Sequence, residues 1–302
     1  MTTAPLPAAA TWGRLATFLS VYDAGSVRVA AESLRVSPPA VSAAVTALEA
    51  ALGTPLFARA GRGIAPTDAG HTFATYARSL VGLLDEAAGA VRSTERGRLR
   101  IGAVATASEY VLPRLMASFA DARPLMELSL SVLPRDELFT RVAQHEVDVV
   151  LAGRPPGGSG LHTRARRPAR LVVVGRPGGQ SPTRGATWLL TGQGSGTRTT
   201  ALDLLARLEV EPRQLTLGTS GAVVAAAREG LGVTLVHEEG VRDLLAVGDL
   251  TTYQLPGTPL SRPWHLCTGA SPTAATRLFL AHVGDPGLAG EAAFHTVNPP
   301  QG

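Results

Sequence analysis

The chain has 302 residues, of which 45% are hydrophobic, with a formal net charge of +4 and an isoelectric point of about 9.9. This length favours two or three folded units, and no apolar run is long enough to span a membrane. The N-terminal residues lack the features of a secretory signal, and the single cysteine, Cys267, cannot form an intramolecular disulfide, so we expect a cytoplasmic protein. All 28 basic residues are arginine, a modest positive excess that is compatible with nucleic-acid binding but does not establish it.

Apolar residues between positions 15 and 52 recur at spacings of three and four, which predicts three short helices. Ser26 is placed to cap the second helix. Residues 35–37 separate the second helix from the third. The third helix has Ser37 as its N-cap and Pro38 at its first position, where the missing N–H costs nothing.

Residues 55–66 contain a short apolar pair followed by arginines and glycines, which predicts a two-stranded wing with Arg59 and Arg62 near its tip. Thr67 then caps a long helix that continues to about Thr94. An apolar seam on such a helix requires a partner, so we expect a homodimer or a homotetramer. The seam consists of Phe73, Tyr76, Ala77, Leu80, Leu84, Ala87 and Val91.

Two helices joined by a three-residue turn form the layout in which the second helix enters the DNA major groove while the first braces it. The apolar stripe of the third helix predicts that its opposite face, which is small and almost uncharged, meets double-stranded DNA. Arg59 and Arg62 are placed to contact phosphate or the minor groove. On periodicity alone, a protein-interaction module remains the alternative. The predicted DNA-contacting residues are Ser37, Pro38, Pro39, Ser42, Thr46, Arg59 and Arg62.

From Gly97 onward, apolar and β-branched runs alternate with helical segments, which predicts the α/β class with parallel sheets. The predicted strands are residues 99–104, 127–132, 147–151, 170–174, 214–217 and 233–236. The predicted helices between them are residues 115–120, 138–144, 199–208 and 222–229.

Three strands of this region end in small polar residues that open a helix. Because helix N-termini offer unpaired N–H groups and partial positive charge, converging ends would bind a small anion without a metal or another cofactor. Helix capping alone is the alternative role for each hydroxyl. His237 follows a strand and lines a cleft or, more simply, lies in the core. The predicted effector-binding residues are Thr106, Ser108, Ser195, Thr197, Arg198 and Ser220.

The N-terminal pattern resembles the signature of the LysR-type transcriptional regulators. The resemblance rests on Phe18, Gly25, Ser26, Ala30, Ala31, residues 34–37 and 39–42, Leu48, Glu49, Leu52, Gly53, residues 55–57, Arg59 and residues 67–70. It implies a DNA-binding transcription regulator, activator or repressor, with a winged helix-turn-helix head and a sensor of two α/β lobes that resembles a periplasmic binding protein. RNA polymerase is a further partner if the protein activates transcription. Pro38, Ala43 and Ala44 depart from the signature and remove potential DNA contacts.

A narrower resemblance links the sensor region to the regulators of carbon-fixation and sulfur-assimilation operons. It rests on residues 194–198, 230–233 and 241–243. Two other classes remain as alternatives, namely a solute-binding protein with an unrelated helical N-terminus and an α/β enzyme with a regulatory head. The first would need an export signal and the second a convergent catalytic set, and neither is visible, so we expect no catalytic residues.

The expected organisation follows from these elements. A winged helix-turn-helix domain is expected over residues 1–66 and a dimerising helix over residues 67–96. The effector-binding domain is expected over residues 97–283, with lobe one at about 97–168 and 265–283 and lobe two at about 169–264. The Gly-, Ala- and Pro-rich segment 284–302 predicts a disordered tail.

Overall fold

A computed structural model of the protein describes residues 11–60, 63–91 and 97–297. The chain divides into two compact units. One is a head that ends at Ala88 and with which residues 144–146 are grouped. The other is a C-terminal unit that includes the rest of residues 97–297.

The head consists of short helices, a hairpin and a long helix. In chain order these are α1 (Trp12–Ala24), α2 (Val27–Leu34), α3 (Pro38–Leu52), β1 (Phe57–Ala60), β2 (Gly63–Pro66) and α4 (Asp68–Val91). The predicted caps are confirmed, since Ser26 Oγ accepts the N–H of Val29 and Ser37 Oγ accepts the N–H of Ala40, each at 3.4 Å. Thr67 Oγ1 accepts the N–H of Gly70 at 3.0 Å at the start of α4.

The core of the head is centred on Phe18, whose ring lies 5.4 Å from that of Phe57 and 5.1 Å from that of Phe73. Burying one aromatic side chain of this kind stabilises a fold by about 1.5–3 kcal/mol. Gly70 allows α4 to approach the hairpin closely, because a Cβ at this position would lie 2.1 Å from the carbonyl oxygen of Leu56. The head is therefore held together by contacts between α1, the hairpin and α4.

The long helix α4 carries apolar side chains on two different faces. Phe73 and Ala77 pack into the core of the head. The prediction that these two residues belong to an exposed seam is therefore wrong, because spacings of three and four do not show which of two adjoining faces is already covered. Among the side chains of α4 that the structure describes, the large apolar ones that are exposed are Tyr76, Leu80, Leu83 and Leu84, between 46% and 66% exposed.

The C-terminal unit alternates strands and helices. In chain order these are β3 (Gly97–Ala103), α5 (Ala105–Tyr110), α6 (Leu112–Ala122), β4 (Met126–Val132), α7 (Arg135–Ala143), β5 (Val149–Ala152), β6 (His162–Arg167), β7 (Arg170–Gly175), β8 (Trp188–Thr191), α8 (Gly196–Arg207), β9 (Gln214–Gly218), α9 (Ser220–Arg228), β10 (Val233–His237), α10 (Arg242–Ala246), β11 (Thr251–Tyr253), β12 (Leu260–Ser261), β13 (Trp264–Thr268), α11 (Ala274–Gly284), α12 (Pro286–Ala289) and β14 (His295–Thr296).

The strands form two sheets, one in each lobe. Lobe one has the strand order β14-β6-β13-β5-β3-β4, and lobe two has the order β11-β7-β10-β8-β9 with β12 also paired to β7. The sequence pattern predicts parallel sheets, but only the β4-β3-β5 and β9-β8-β10 parts are parallel. The pairs β13-β5, β13-β6 and β10-β7 are antiparallel, because the chain passes between the lobes directly rather than through a crossover helix.

The chain passes between the lobes twice, at residues 168–169 and at residues 262–263. The two crossing segments are joined by a hydrogen bond in which the N–H of Arg262 donates to the carbonyl oxygen of Ala169 at 2.8 Å. Each lobe has its own hydrophobic core. Alternate residues of β7 fill the two faces of the lobe-two sheet, with Leu171 in one cluster and Val172 in the other.

The segment after residue 283 is folded as far as residue 297. Strand β14 pairs antiparallel with β6, and Phe294 is only 2% exposed in the core of lobe one. The prediction of a disordered tail is therefore wrong for residues 284–297, since Phe294 anchors a segment whose Gly and Ala content suggests no core. Residues 298–302 lie outside the described part of the chain.

Candidate functional site

The outward face of α3 consists of the small residues that the sequence predicts. Val41 and Leu48 are buried in the core of the head, whereas Pro39, Ser42 and Thr46 are exposed. Ser37 and Pro38 are exposed at the start of the same helix, with Ser37 Oγ engaged in capping. The face therefore presents hydroxyl and methyl groups with no bulky side chain between them.

The hairpin carries one of the predicted basic contacts of the head. Arg59 lies exposed on β1, which pairs with β2 from Phe57 to Ala60. Arg62, the other predicted contact, lies outside the described residues. The first residue of the hairpin, Phe57, is hydrogen-bonded to α3.

Glu49 fixes the hairpin to α3. Its Oε1 atom accepts the N–H of Leu56 at 2.7 Å and the N–H of Phe57 at 3.1 Å. These partly buried bonds are charge-assisted, which makes each stronger than a bond between neutral groups. The outward face of α3 and the strand that carries Arg59 are thereby held in a fixed relation.

The second candidate site is a cleft of about 310 Å³ between the two lobes. Thr106, at the start of α5, lines it from lobe one. Ser195 and Thr197, at the start of α8, line it from lobe two, and Arg262 lines it from a crossing segment. No acidic side chain is among the described residues that line this lobe cleft.

Arg262 lies where the lobes meet. A Cβ built on Gly196, in the first turn of α8, would be 3.0 Å from Nη2 of Arg262, and one built on Gly153 would be 3.9 Å away. Burial and then the neighbouring Arg135 guanidinium lower the pKa of Arg262, whereas Asp203 acts in the opposite direction. Arg135 also lines the lobe cleft, so two guanidinium groups face the same space.

His237 forms part of the wall of the lobe cleft. Its ring stacks on Trp264 with the centroids 4.2 Å apart, and Nδ1 is buried with no hydrogen-bond partner among the described residues. Burial, followed by the charges of Arg262 and Arg167, lowers the pKa of His237 to about 4, so the ring is neutral at pH 7. Glu239 lies behind the wall, accepting a hydrogen bond from Trp264 Nε1 at 3.3 Å and pairing with Arg167.

Three of the predicted effector-binding residues, Thr106, Ser195 and Thr197, line the lobe cleft, and three do not. Ser108 Oγ donates to the carbonyl oxygen of Ala105 at 2.7 Å. The guanidinium of Arg198 donates to the carbonyl oxygen of Thr191 and to Thr216 Oγ1, at 3.0 and 2.9 Å.

Ser220 is buried in the first turn of α9, and the nearby Gly218 reaches the lobe cleft instead. The sequence reasoning did not identify Arg135, Arg262 and Trp264, which also line the cleft. The available signal was the Ser261-Arg262-Pro263 segment before a buried strand, because a crossing segment necessarily borders both lobes.

Comparison with known proteins identifies the family. The profile described as "Bacterial regulatory helix-turn-helix protein, lysR family" matches residues 12–71. The profile described as "LysR substrate binding domain" matches residues 92–285, more than half of the chain. The chain belongs to the LysR family. It is therefore a LysR-type transcription regulator with an effector-binding domain, as the sequence resemblance predicts.

Similar proteins agree with this assignment. A RuBisCO operon transcriptional regulator from Acidithiobacillus ferrooxidans is 30% identical over 85% of this chain and 87% of its own length, which confirms the resemblance to regulators of carbon-fixation operons. A full-length OxyR from Pseudomonas aeruginosa shares the fold, with a TM-score of 0.70 and 18% identity over 96% of this chain and 99% of that one. The regulatory domain of Synechocystis CcmR, solved in complex with 2-PG, has a TM-score of 0.55 and 26% identity over 62% of this chain and 95% of its own.

The described part of this LysR-type regulator contains no helix that is both long and apolar enough to cross a membrane. Within the same residues, no group of three His, Cys, Asp or Glu side chains is arranged to hold a metal ion. Its one cysteine, Cys267, is buried, and burial raises the pKa of the thiol to about 11.

Proposed function

We propose that this LysR-type regulator binds operator DNA as a dimer or tetramer and responds to a small anionic metabolite held in the lobe cleft. The observation that carries the effector proposal is the charge of that cleft, which Arg135, Arg262 and the first turn of α8 line without an acidic residue among the described ones. Neither a catalytic step nor a cofactor is part of this proposal, and its place of action is the cytoplasm, where the DNA is.

The head supports DNA binding by its shape. The exposed face of α3 is narrow enough for close approach to base edges, and Ser42 and Thr46 offer hydroxyl groups that donate or accept there. Arg59 on the hairpin is placed to meet phosphate, which fixes orientation without reading sequence. The hydrogen bonds of Glu49 hold the exposed face of α3 and the strand that carries Arg59 in a fixed relative position.

The long helix α4 supports self-association. Leu80, Leu83 and Leu84 form an exposed apolar patch together with Tyr76. Contiguous apolar surface of this kind is covered in oligomers, and a two-fold pair of helices is the simplest way to cover it. Two heads on one dimer would then bind two half-sites, as symmetric DNA-binding proteins do. As an activator, the protein would also contact RNA polymerase.

The lobe cleft supports an oxyanion as the effector. Guanidinium groups bind carboxylate or phosphate oxygens with two parallel hydrogen bonds, and the N-terminus of α8 adds N–H groups and partial positive charge. Ser195 and Thr197 supply hydroxyl groups at this helix start. The ring of His237, neutral at pH 7, adds no charge to the wall of the cleft.

A ligand in this cleft would contact both lobes, because Thr106 belongs to lobe one and Ser195 to lobe two. Binding energy that exists only when the lobes are close shifts the balance toward the closed arrangement. The CcmR regulatory domain was solved in complex with 2-PG, which supports a small-molecule ligand for a domain of this kind. We propose that closure changes the spacing of the two heads on DNA.

Calorimetric titration of the full chain with sulfate, phosphorylated sugars and carboxylates tests the effector proposal. We expect binding of at least one anion to be weakened about tenfold or more by Ser195→Ala and Thr197→Ala. Ser181→Ala is the matched control, because this exposed hydroxyl lies only near Thr183 on a surface loop. Tight binding of a neutral or cationic ligand, or anion binding that both cleft substitutions leave unchanged, would overturn the proposal.

A further inference from the structure

A second cavity, of about 760 Å³, lies in the C-terminal unit beside the crossing segment 261–263. Its wall is the loop 153–161 between β5 and β6, and its other sides are formed by residues of β6, β13 and the start of α7. We call it the arginine cleft, because Arg135, Arg154, Arg166 and Arg262 line it. None of the described lining residues is acidic.

Three of these four arginines have no carboxylate within 4 Å among the residues that the structure describes, namely Arg154, Arg166 and Arg262. Arg135 has one acidic neighbour, Asp136, whose side chain is 84% exposed and so holds its charge in solvent. Of the four arginines, only Arg135 therefore has a carboxylate within 4 Å among the described residues.

Some arginines elsewhere in the same unit are paired with carboxylates. Arg170 lies 2.8 Å from Glu238, and Arg228 lies 2.8 Å from Asp249. Arg100 contacts the buried carboxylate of Asp148 at 2.7 Å. The arginine cleft thus brings together three guanidinium groups, those of Arg154, Arg166 and Arg262, that have no carboxylate partner among the described residues.

His265 lines the arginine cleft, and its pKa reflects the positive charge there. Its ring is 5% exposed, and Nδ1 lies 3.5 Å from Thr163 Oγ1. Burial first, and then the charges of Arg166, Arg154 and Arg262 in that order, together lower the pKa of His265 to about 4. The imidazole is therefore neutral near pH 7, and the positive charge around it comes from the guanidinium groups.

We propose that the arginine cleft is a second ligand site, separate from the lobe cleft, for a small anion that carries phosphoryl groups and at least two negative charges. Guanidinium groups from different elements surround the cavity, and each binds phosphoryl oxygens with a planar fork. A multiply charged anion also removes the repulsion between these groups. The volume lies within the range of small-molecule sites.

The two clefts adjoin and share Arg135, Gly153, Arg262 and Pro263. Arg154 and Arg166 line only the arginine cleft, and Ser195 lines only the lobe cleft. Variants at these unshared positions therefore separate the two sites. Pyrophosphate is a suitable probe for the arginine cleft, with sodium chloride at the same ionic strength as the control for non-specific screening.

The experiment is calorimetric titration of the full chain with pyrophosphate, using Arg154→Gln, Arg166→Gln, the double variant and the control Arg207→Gln. Arg207 is exposed at the end of α8, lines neither cleft and undergoes the same loss of charge. We expect each cleft variant to weaken binding about tenfold, the double variant to abolish it, and the control to match the wild type. Near-UV circular dichroism checks that every variant is folded.

Several results would overturn the proposal. Pyrophosphate binding that is absent at millimolar concentration, or weakened equally by Arg207→Gln, would mean that these arginines are only solvated. Pyrophosphate binding that Ser195→Ala abolishes while Arg154→Gln and Arg166→Gln leave it intact would place the anion in the lobe cleft, which leaves the proposed effector site standing and removes this one.

Discussion

Replacing Glu49 by alanine would remove the one acceptor that holds the N–H groups of Leu56 and Phe57. The hairpin would then keep its own pairing but lose its direct attachment to α3. Alanine favours the helical conformation, so the substitution does not weaken α3 through propensity. The expected effect is local release of the strand that carries Arg59.

The magnitude follows from the two bonds. An unsatisfied, partly buried N–H costs about 1–3 kcal/mol, so leaving both N–H groups without their acceptor costs about 3 kcal/mol. Glu49→Gln keeps an acceptor oxygen but no charge, and about half of that loss remains. Since about 1.4 kcal/mol corresponds to a tenfold change, amide exchange at positions 56 and 57 should accelerate about a hundredfold in Glu49→Ala.

Hydrogen exchange of peptides that span residues 54–58 measures this effect directly. Glu32→Ala is the matched control, because Glu32 is an exposed acidic residue of α2 whose nearest ion pair, with Arg28, is 3.9 Å long. A double-mutant cycle between Glu49→Gln and Arg59→Ala then tests the functional link, using a duplex that the wild-type protein selects from a random pool. We expect Arg59→Ala to cost less DNA affinity when Glu49 is already replaced.

Unchanged exchange at residues 54–58 in Glu49→Ala would show that the two hydrogen bonds contribute nothing to the position of the hairpin. Strictly additive losses of DNA affinity in the cycle would show that Glu49 does not position Arg59. Either result refutes the reasoning.

Three further predictions follow from the structure. Leu80→Glu combined with Leu84→Glu should lower the oligomeric state measured by sedimentation at micromolar concentration. The control Val247→Glu, at a site in lobe two that is 72% exposed, should leave it unchanged. A wild-type protein that sediments as a monomer would contradict this prediction. Arg59→Ala should weaken binding to all DNA duplexes and make the slope of log K against log salt concentration shallower by about 0.9. Ser42→Ala should instead change the preference among duplexes, with Arg207→Ala as the control for both. If neither substitution changes DNA binding, the proposed contacts are wrong. Because the pKa of His237 is about 4 in the folded protein against 6.5 ordinarily, the unfolded chain binds the extra proton between these values, and stability should fall by about 3 kcal/mol at most as the pH drops from 6.5 to 4. Urea midpoints across that range should show a smaller drop for His237→Gln.

The head could be predicted in detail because its signals are local. The hydroxyl groups of Ser26 and Ser37 each accept the N–H of the residue three positions further along the chain, and Pro38 occupies the first turn of α3. Gly25 and Gly53 adopt positive φ values of 59° and 68° at the ends of α1 and α3, where a left-handed residue ends a helix. Each of these features depends on side chains that are near in sequence.

The lobe cleft could be predicted only in part because it is assembled from distant segments. Thr106, Ser195 and Thr197 were recognisable as polar residues at strand-to-helix transitions. Arg262 carries no such signal, since its role depends on the chain crossing between the lobes at that point. Ser195 is the N-cap of α8, whereas Ser220 follows the N-cap Thr219 as the first residue of α9, and its side chain is buried.

The local sequence pattern also predicts the wrong strand direction and strand order for parts of the sheets in the C-terminal unit. Alternating strands and helices predict parallel neighbours, but β13 lies between β5 and β6 although about 100 residues of chain separate it from β6. The composition after residue 283 suggests disorder, but the segment is folded as far as residue 297 because the ring of Phe294 is buried in lobe one.

The placement of β13 has a consequence for how the protein is made. Lobe one needs residues 264–297, whereas the head and lobe two each consist of a continuous stretch of chain that leaves the ribosome earlier. At synthesis rates of about 5–20 residues per second, β5 and β6 wait about 5–20 s for the strand that belongs between them. During this interval they present unpaired edges, which are the surfaces that chaperones protect from aggregation. A nascent chain can therefore carry a folded DNA-binding head for some seconds before it has a sensor to control it.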